Sequence, residues 1–99
     1  MIIIRTVFRL KFGKAKEAIE LLKEGKKIAA EQGIKFGRTL TDITGPSYTI
    51  VFENEAESLA DYENESGRIF SNDEWKKWYQ KFIPHIESSY RNIFRVIET

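Results

Sequence analysis

Four stretches of alternating apolar and polar residues, at 2–12, 35–43, 47–53 and 89–97, are separated by helical patterns, and that switching of period leaves few folds open. In the first stretch Ile2, Ile4, Phe8, Leu10 and Phe12 share one face, with Ile3, Arg5, Val7, Arg9 and Lys11 on the other. Residues 14–32 then repeat Ala15, Ala18, Ile19, Leu22 and Ala29 at helical spacing, and Gly33 stops them. Gly25 inside this helix costs about 1 kcal/mol relative to Ala, so a neighbour is expected to approach closely there. Thr44-Gly45-Pro46-Ser47 reads as the turn of a hairpin. A second helix is expected to start at Asn54, with Glu57 closing a capping box, and to end at Ser66-Gly67. A third opens on Ser71-Asn72-Asp73-Glu74, with Ser71 as cap and Phe70 and Trp75 as a hydrophobic staple. Trp75, Trp78, Tyr79 and Phe82 line one of its faces until Pro84 ends it.

The order is therefore β-α-β-β-α(α)-β. Right-handed crossovers and a short hairpin fold it into an α+β, ferredoxin-like domain: a four-stranded antiparallel sheet with helices on one face. Ninety-nine residues without linker or repeat make one domain, residues 1–99. Even-numbered residues of the first, third and last strands carry the bulky side chains and are expected to meet the helices. The odd-numbered face keeps Ile3, Val7, Thr39, Thr41, Ile43, Val51, Ile93 and Ile97 among Arg5, Arg9, Arg91 and Arg95. A sheet face left to water alternates to polar residues more cleanly. Sheet-to-sheet packing on a second copy, a two-fold homodimer, is the expected cover.

Composition narrows the function classes. At 41% hydrophobic and 31% charged residues the chain reads as neither disordered nor membrane-spanning, so no membrane partner is expected. Cysteine is absent, which excludes thiol catalysis and thiolate metal sites. The start Met1-Ile2-Ile3-Ile4-Arg5 shows no basic region ahead of an apolar core, so no signal peptide is visible and a cytoplasmic location is the default expectation. Residues 1–38 carry ten basic and four acidic residues, and residues 39–74 one basic and nine acidic. Such opposed blocks suit internal complementarity, two helices of opposite sign side by side, better than a nucleic-acid partner.

His85, the single histidine, has the chemistry of a general acid or base, although the sequence shows no orienting partner for it. Tyr62, Trp75, Trp78 and Phe82 suit the wall of an apolar pocket between helices and sheet, with the indole N–H groups and the hydroxyls of Tyr62 or Tyr48 as its polar contacts. A cavity above about 200–300 Å³ beside His85 would favour ligand binding, and a filled core a purely structural dimerisation module. Arg38, expected on the helix-facing side of the second strand, is a candidate contact for an acidic ligand. No phosphate loop, nucleophile elbow or zinc-protease motif is present, and neither a metal nor another cofactor is expected.

The element order, the length and the stretch Asp73-Glu74-Trp75, Trp78 and Phe82-Ile83-Pro84, followed by a strand holding Arg91 and Ile93-Phe94, resemble the dimeric α/β-barrel superfamily. Within it the chain is most similar to NIPSNAP-like and antibiotic-biosynthesis-monooxygenase-like domains. The resemblance implies a homodimer and covers cofactor-independent oxygenases, haem-degrading enzymes, small-ligand sensors and domains of unassigned activity. Haem-degrading members place an Asn on the first strand, with a Trp and a His near the later helices. Here that strand offers Arg5, Thr6 and Arg9 instead, and Tyr62 is the better match for the family tryptophan. The expectation is a homodimeric domain for a small apolar or aromatic ligand. The alternative is a cofactor-independent monooxygenase or isomerase moving a proton with His85 or Tyr62.

Overall fold

The computed structural model describes residues 1–99. Its elements are β1 (Ile2–Leu10), α1 (Ala15–Glu31), β2 (Arg38–Thr41), β3 (Thr49–Ala56), α2 (Leu59–Phe70), α3 (Asp73–Phe82), a 3₁₀ turn (Ile83–His85) and β4 (Ile86–Arg95). The sheet order β2-β3-β1-β4 with every pair antiparallel is the ferredoxin-like α+β plan. Phe8, Leu10 and Ile50 of the sheet meet Ala18, Leu22, Ile28 and Ala29 of α1, Ile69 of α2 and Trp75, Trp78 and Phe82 of α3 in one core.

Several boundaries move from their sequence positions, each for a tertiary reason. Asn54 does not cap a helix. The first residues of β1 need partners, so Ile2 and Ile4 pair with Ala56 and Asn54, and β3 runs on to Ala56. The Asn54 side chain instead accepts the Gly37 N–H at 2.8 Å. A Cβ on Gly37 would collide with the Glu53 carbonyl, so only glycine lets the chain enter β2 this close to β3. The cap of α2 is Ser58, whose Oγ accepts from the Asp61 N–H, and the helix continues through Gly67 to Phe70. The cap of α3 is Asn72 rather than Ser71: its Oδ1 accepts from the Trp75 N–H at 2.9 Å, while the Ser71 hydroxyl donates back to the Arg68 carbonyl and finishes α2. Phe12 lies beyond the end of β1 and is largely exposed. The expected pairing of helices of opposite sign does not form: α1 carries four lysines and four glutamates and packs on α3, with one cross-helix ion pair, Lys81–Glu24 at 3.4 Å, between them.

The largest departure concerns β4. Leu10 faces Ile86 but Arg9 faces Ser88, which leaves Glu87 unpaired as a bulge. One extra residue inverts the parity of everything after it. Arg91, Ile93 and Arg95 therefore turn to the helix side, opposite Thr6, Ile4 and Ile2, while Tyr90 and Phe94 join the open side opposite Val7 and Ile3. Strand β2 is also offset from the expected parity. Arg38 and Leu40 pair with Glu53 and Val51 on the open side, and Thr39 and Thr41 turn inward. The expected cluster of Arg5, Arg9, Arg91 and Arg95 on one face does not exist.

On the open side Glu53 accepts from Arg38 Nη2 and, at 2.8 Å, from Arg5 Nε. Its side chain is only 11% exposed. These hydrogen bonds, Arg38 first and then Arg5, hold the Glu53 carboxyl below its ordinary value of 4.5. A depressed carboxyl contributes stability that is complete above its unfolded-state pKa and is lost as the pH falls through the folded one. Thermal melts from pH 6 to pH 3 are therefore expected to show an acid loss below about pH 4.5. Glu53→Gln should lower the melting temperature at neutral pH and flatten that part of the acid dependence.

Candidate functional site

The geometry of the site begins with α3. Spacing of three and four residues places Trp75, Trp78 and Phe82 on its inner face, and all three are buried. Trp78 lies against Gly25 of α1, where the chain has no side chain to resist it, and its Nε1–H donates to the Leu21 carbonyl at 2.6 Å. The close approach anticipated at Gly25 is this indole. A Cβ there would stand 2.5 Å from the Trp78 ring. Gly25→Ala is expected to lower stability in urea unfolding, because overpacking of about 1–3 kcal/mol exceeds the roughly 1 kcal/mol of helix propensity gained.

The remaining aromatics build outward from Trp78. Phe82 stacks on it with centroids 5.0 Å apart, Phe8 meets Phe82 edge-on at 5.5 Å, and Phe52 meets Phe8 edge-on at 5.4 Å. Phe36, from the segment before β2, stacks on Trp75 at 5.9 Å. Between these rings, the sheet and helices α2 and α3 lies a pocket of about 140 Å³. That is below the roughly 200–300 Å³ expected of a ligand cavity and well short of sites for drug-sized ligands, and His85 does not line the pocket. It is close to the ~150 Å³ apolar cavity known to accept one benzene ring. A single ring is the natural occupant by volume.

Tyr62 of α2 and Arg91 of β4 line the same pocket, with the guanidinium over the Tyr62 ring at 5.6 Å. Trp75 also lines the pocket, and its indole Nε1 is buried without a partner. Trp78 has already spent its own N–H on Leu21. A larger hollow of about 470 Å³ lies beside Lys35, Arg38, Glu53, Glu55 and Glu57, but it is polar and its Arg38–Glu53 pair is already satisfied.

Tyr62, Trp75, Trp78 and Phe82 thus come together, and Arg38, Tyr48 and His85 do not join them. Tyr48 sits at the start of β3 with φ +60° and packs on Phe12 at 5.2 Å. Arg38 is held by Glu53 on the opposite side of the sheet. His85 closes the junction of α1 and α3: its Nδ1 lies 3.2 Å from the Lys81 carbonyl and its Nε2 3.0 Å from Glu17. Glu17 is 68 residues away in sequence, so nothing local announces this partner. Strict alternation along β4 puts Arg91 on the open face, and the bulge at Glu87 turns it to the pocket side opposite Thr6. No group of three His, Cys, Asp or Glu side chains is placed to hold a metal ion. No helix is long and apolar enough to cross a membrane.

Comparison with solved structures decides the fold. A NIPSNAP family protein from Agrobacterium tumefaciens superposes with a TM-score of 0.91 at 22% identity, over 98% of this chain and 86% of that one. The chain has the NIPSNAP fold. An uncharacterized NIPSNAP domain protein from Burkholderia xenovorans superposes with a TM-score of 0.89 at 14% identity, covering 98% and 95% of the two chains. An antibiotic biosynthesis monooxygenase superposes with a TM-score of 0.74 at 11% identity, over 99% of this chain and 100% of that one. No protein-family model matches the sequence, and no curated protein matches it significantly. The likeness to NIPSNAP and antibiotic-biosynthesis-monooxygenase structures expected from the sequence is therefore a likeness of fold.

Proposed function

We propose that the chain is a homodimeric small-molecule-binding domain that takes one apolar or aromatic ring into the pocket between the sheet and helices α2 and α3. The pocket carries this reading. It is about 140 Å³, is walled by stacked aromatics, and has Tyr62 and Arg91 at polar positions of its lining. A purely structural module has no use for such a gap, since each unfilled methyl-sized space costs about 1 kcal/mol.

The open side of the sheet supports the second copy. Leu40, Tyr90 and Phe94 are exposed there, flanked by the half-buried Ile3 and Val51, and no helix covers them. Arg9 Nε, on the same side, is buried without a partner.

Proton transfer within the pocket, the oxygenase or isomerase reading, has one group in favour of it, Tyr62. His85 does not line the space and is occupied by Glu17 and Lys81.

A thermal-shift series of one-ring and fused two-ring compounds tests the reading. One-ring ligands at about a hundred times their Kd are worth roughly 2.7 kcal/mol, and so should raise the melting temperature by about 10 °C or more. Two-ring compounds should have little effect. No shift with any ring would refute the pocket as a binding site.

A further inference from the structure

We infer that helix α2 is the lid of the pocket. Its first turns, residues 59–66, open about Gly67 to admit the ring, and Tyr62 against Arg91 is the latch. The lid rests on the pocket reading above and adds how that site is gated. Tyr62, Glu65, Ser66 and Ile69 of α2 form one wall of the pocket, so outward movement of these turns opens the space. Only Ile69 of the helix is buried, and among residues 59–65 only Tyr62 is even partly covered. Helix α1, by contrast, buries Ala18, Leu22, Gly25, Ile28 and Ala29. An element with so little buried surface has a low cost of local opening. The firm ties of α2 lie at its far end. Its one side-chain hydrogen bond to a distant part of the chain, Arg68 Nη2 to the Gln32 carbonyl at 2.6 Å, is in the last turn beside Ile69. No ion pair holds the helix. The first turns are held by the Arg91 guanidinium, 5.6 Å from the centre of the Tyr62 ring. Gly67 stands between the free part and the anchored one. A Cβ there would meet nothing within 4 Å, so no packing contact calls for glycine, and its effect is to weaken the helix at that point.

Stopped-flow association of phenol, read by tryptophan fluorescence, and amide exchange of the free and phenol-bound protein test the lid. Gly67 does not line the pocket, so Gly67→Ala should leave the Kd of phenol unchanged. The added helix propensity should make opening about fivefold rarer, and so slow association and dissociation alike by about that factor. Arg91→Gln should do the reverse in the free protein, speeding amide exchange at residues 62–66 about two- to fivefold. At about a hundred times its Kd, phenol suppresses by about a hundredfold any opening that dismantles the site. The amides of residues 62–66 should slow by that factor. Amides in the first turn of α1, which forms no part of the pocket, should not. If phenol binds but Gly67→Ala takes it up at the wild-type rate, the lid is overturned and the pocket reading stands. The same follows if bound phenol leaves exchange at residues 62–66 untouched. No calorimetric binding of phenol, toluene or benzoate would instead remove the pocket reading and the lid with it.

Discussion

Trp78→Ala is expected to destabilise the domain by about 3–5 kcal/mol, the range for truncating a fully packed aromatic side chain. Trp78 is 3% exposed, stacks on Phe82, fills the space above Gly25 and bonds the Leu21 carbonyl. Its removal undoes the seam between α1 and α3 in one step. For a domain of this size the melting temperature should fall by more than about 10 °C. Trp78→Phe keeps the stacking surface and loses the N–H, so it should cost much less, about 1–2 kcal/mol. Equal losses for the two variants, or a loss below about 1.5 kcal/mol for the alanine, would mean that the ring is a replaceable wall rather than the centre of the core.

The second large effect is on assembly. Val51 lies mid-sheet on the open side, opposite Val7 on β1 and Leu40 on β2. Val51→Glu would put two unpaired carboxylates into a two-fold interface, at a cost of at least about 3 kcal/mol. That is more than a hundredfold in the dimer dissociation constant. Sedimentation equilibrium should find the wild type at twice 11.6 kDa and the variant near the single-chain mass, with an unchanged circular dichroism spectrum. A wild type that sediments as one chain at micromolar concentration would remove the dimer from the proposal.

Much of this was legible in the sequence, because alternating periods are written by burial. The order of elements, the aromatic face of α3 and the close approach at Gly25 all follow from spacing alone. What failed was decided by distant partners. Asn54-x-x-Glu57 and Ser58-x-x-Asp61 are both plausible caps, and only the pairing of Ile2 and Ile4 with Ala56 and Asn54 chooses the second. Strand β4 is exposed along nearly its whole length, so no burial pattern fixes its parity, and a single bulge at Glu87 moved Arg91 to the pocket side. Spacing also cannot tell which indole N–H is spent. Trp75 and Trp78 are alike in the sequence, and the Leu21 carbonyl makes them different.

Where a ring settles on the molecule is the most direct test of the account. Isotope-filtered NOE spectroscopy of the labelled protein with toluene, phenol and benzoate in turn reads that position. Ring protons should give contacts to the side chains of Phe8, Trp75 and Phe82, and none to His85 or to Tyr90 and Phe94 of the open side. Contacts at His85 or on the open side in place of those three would contradict it.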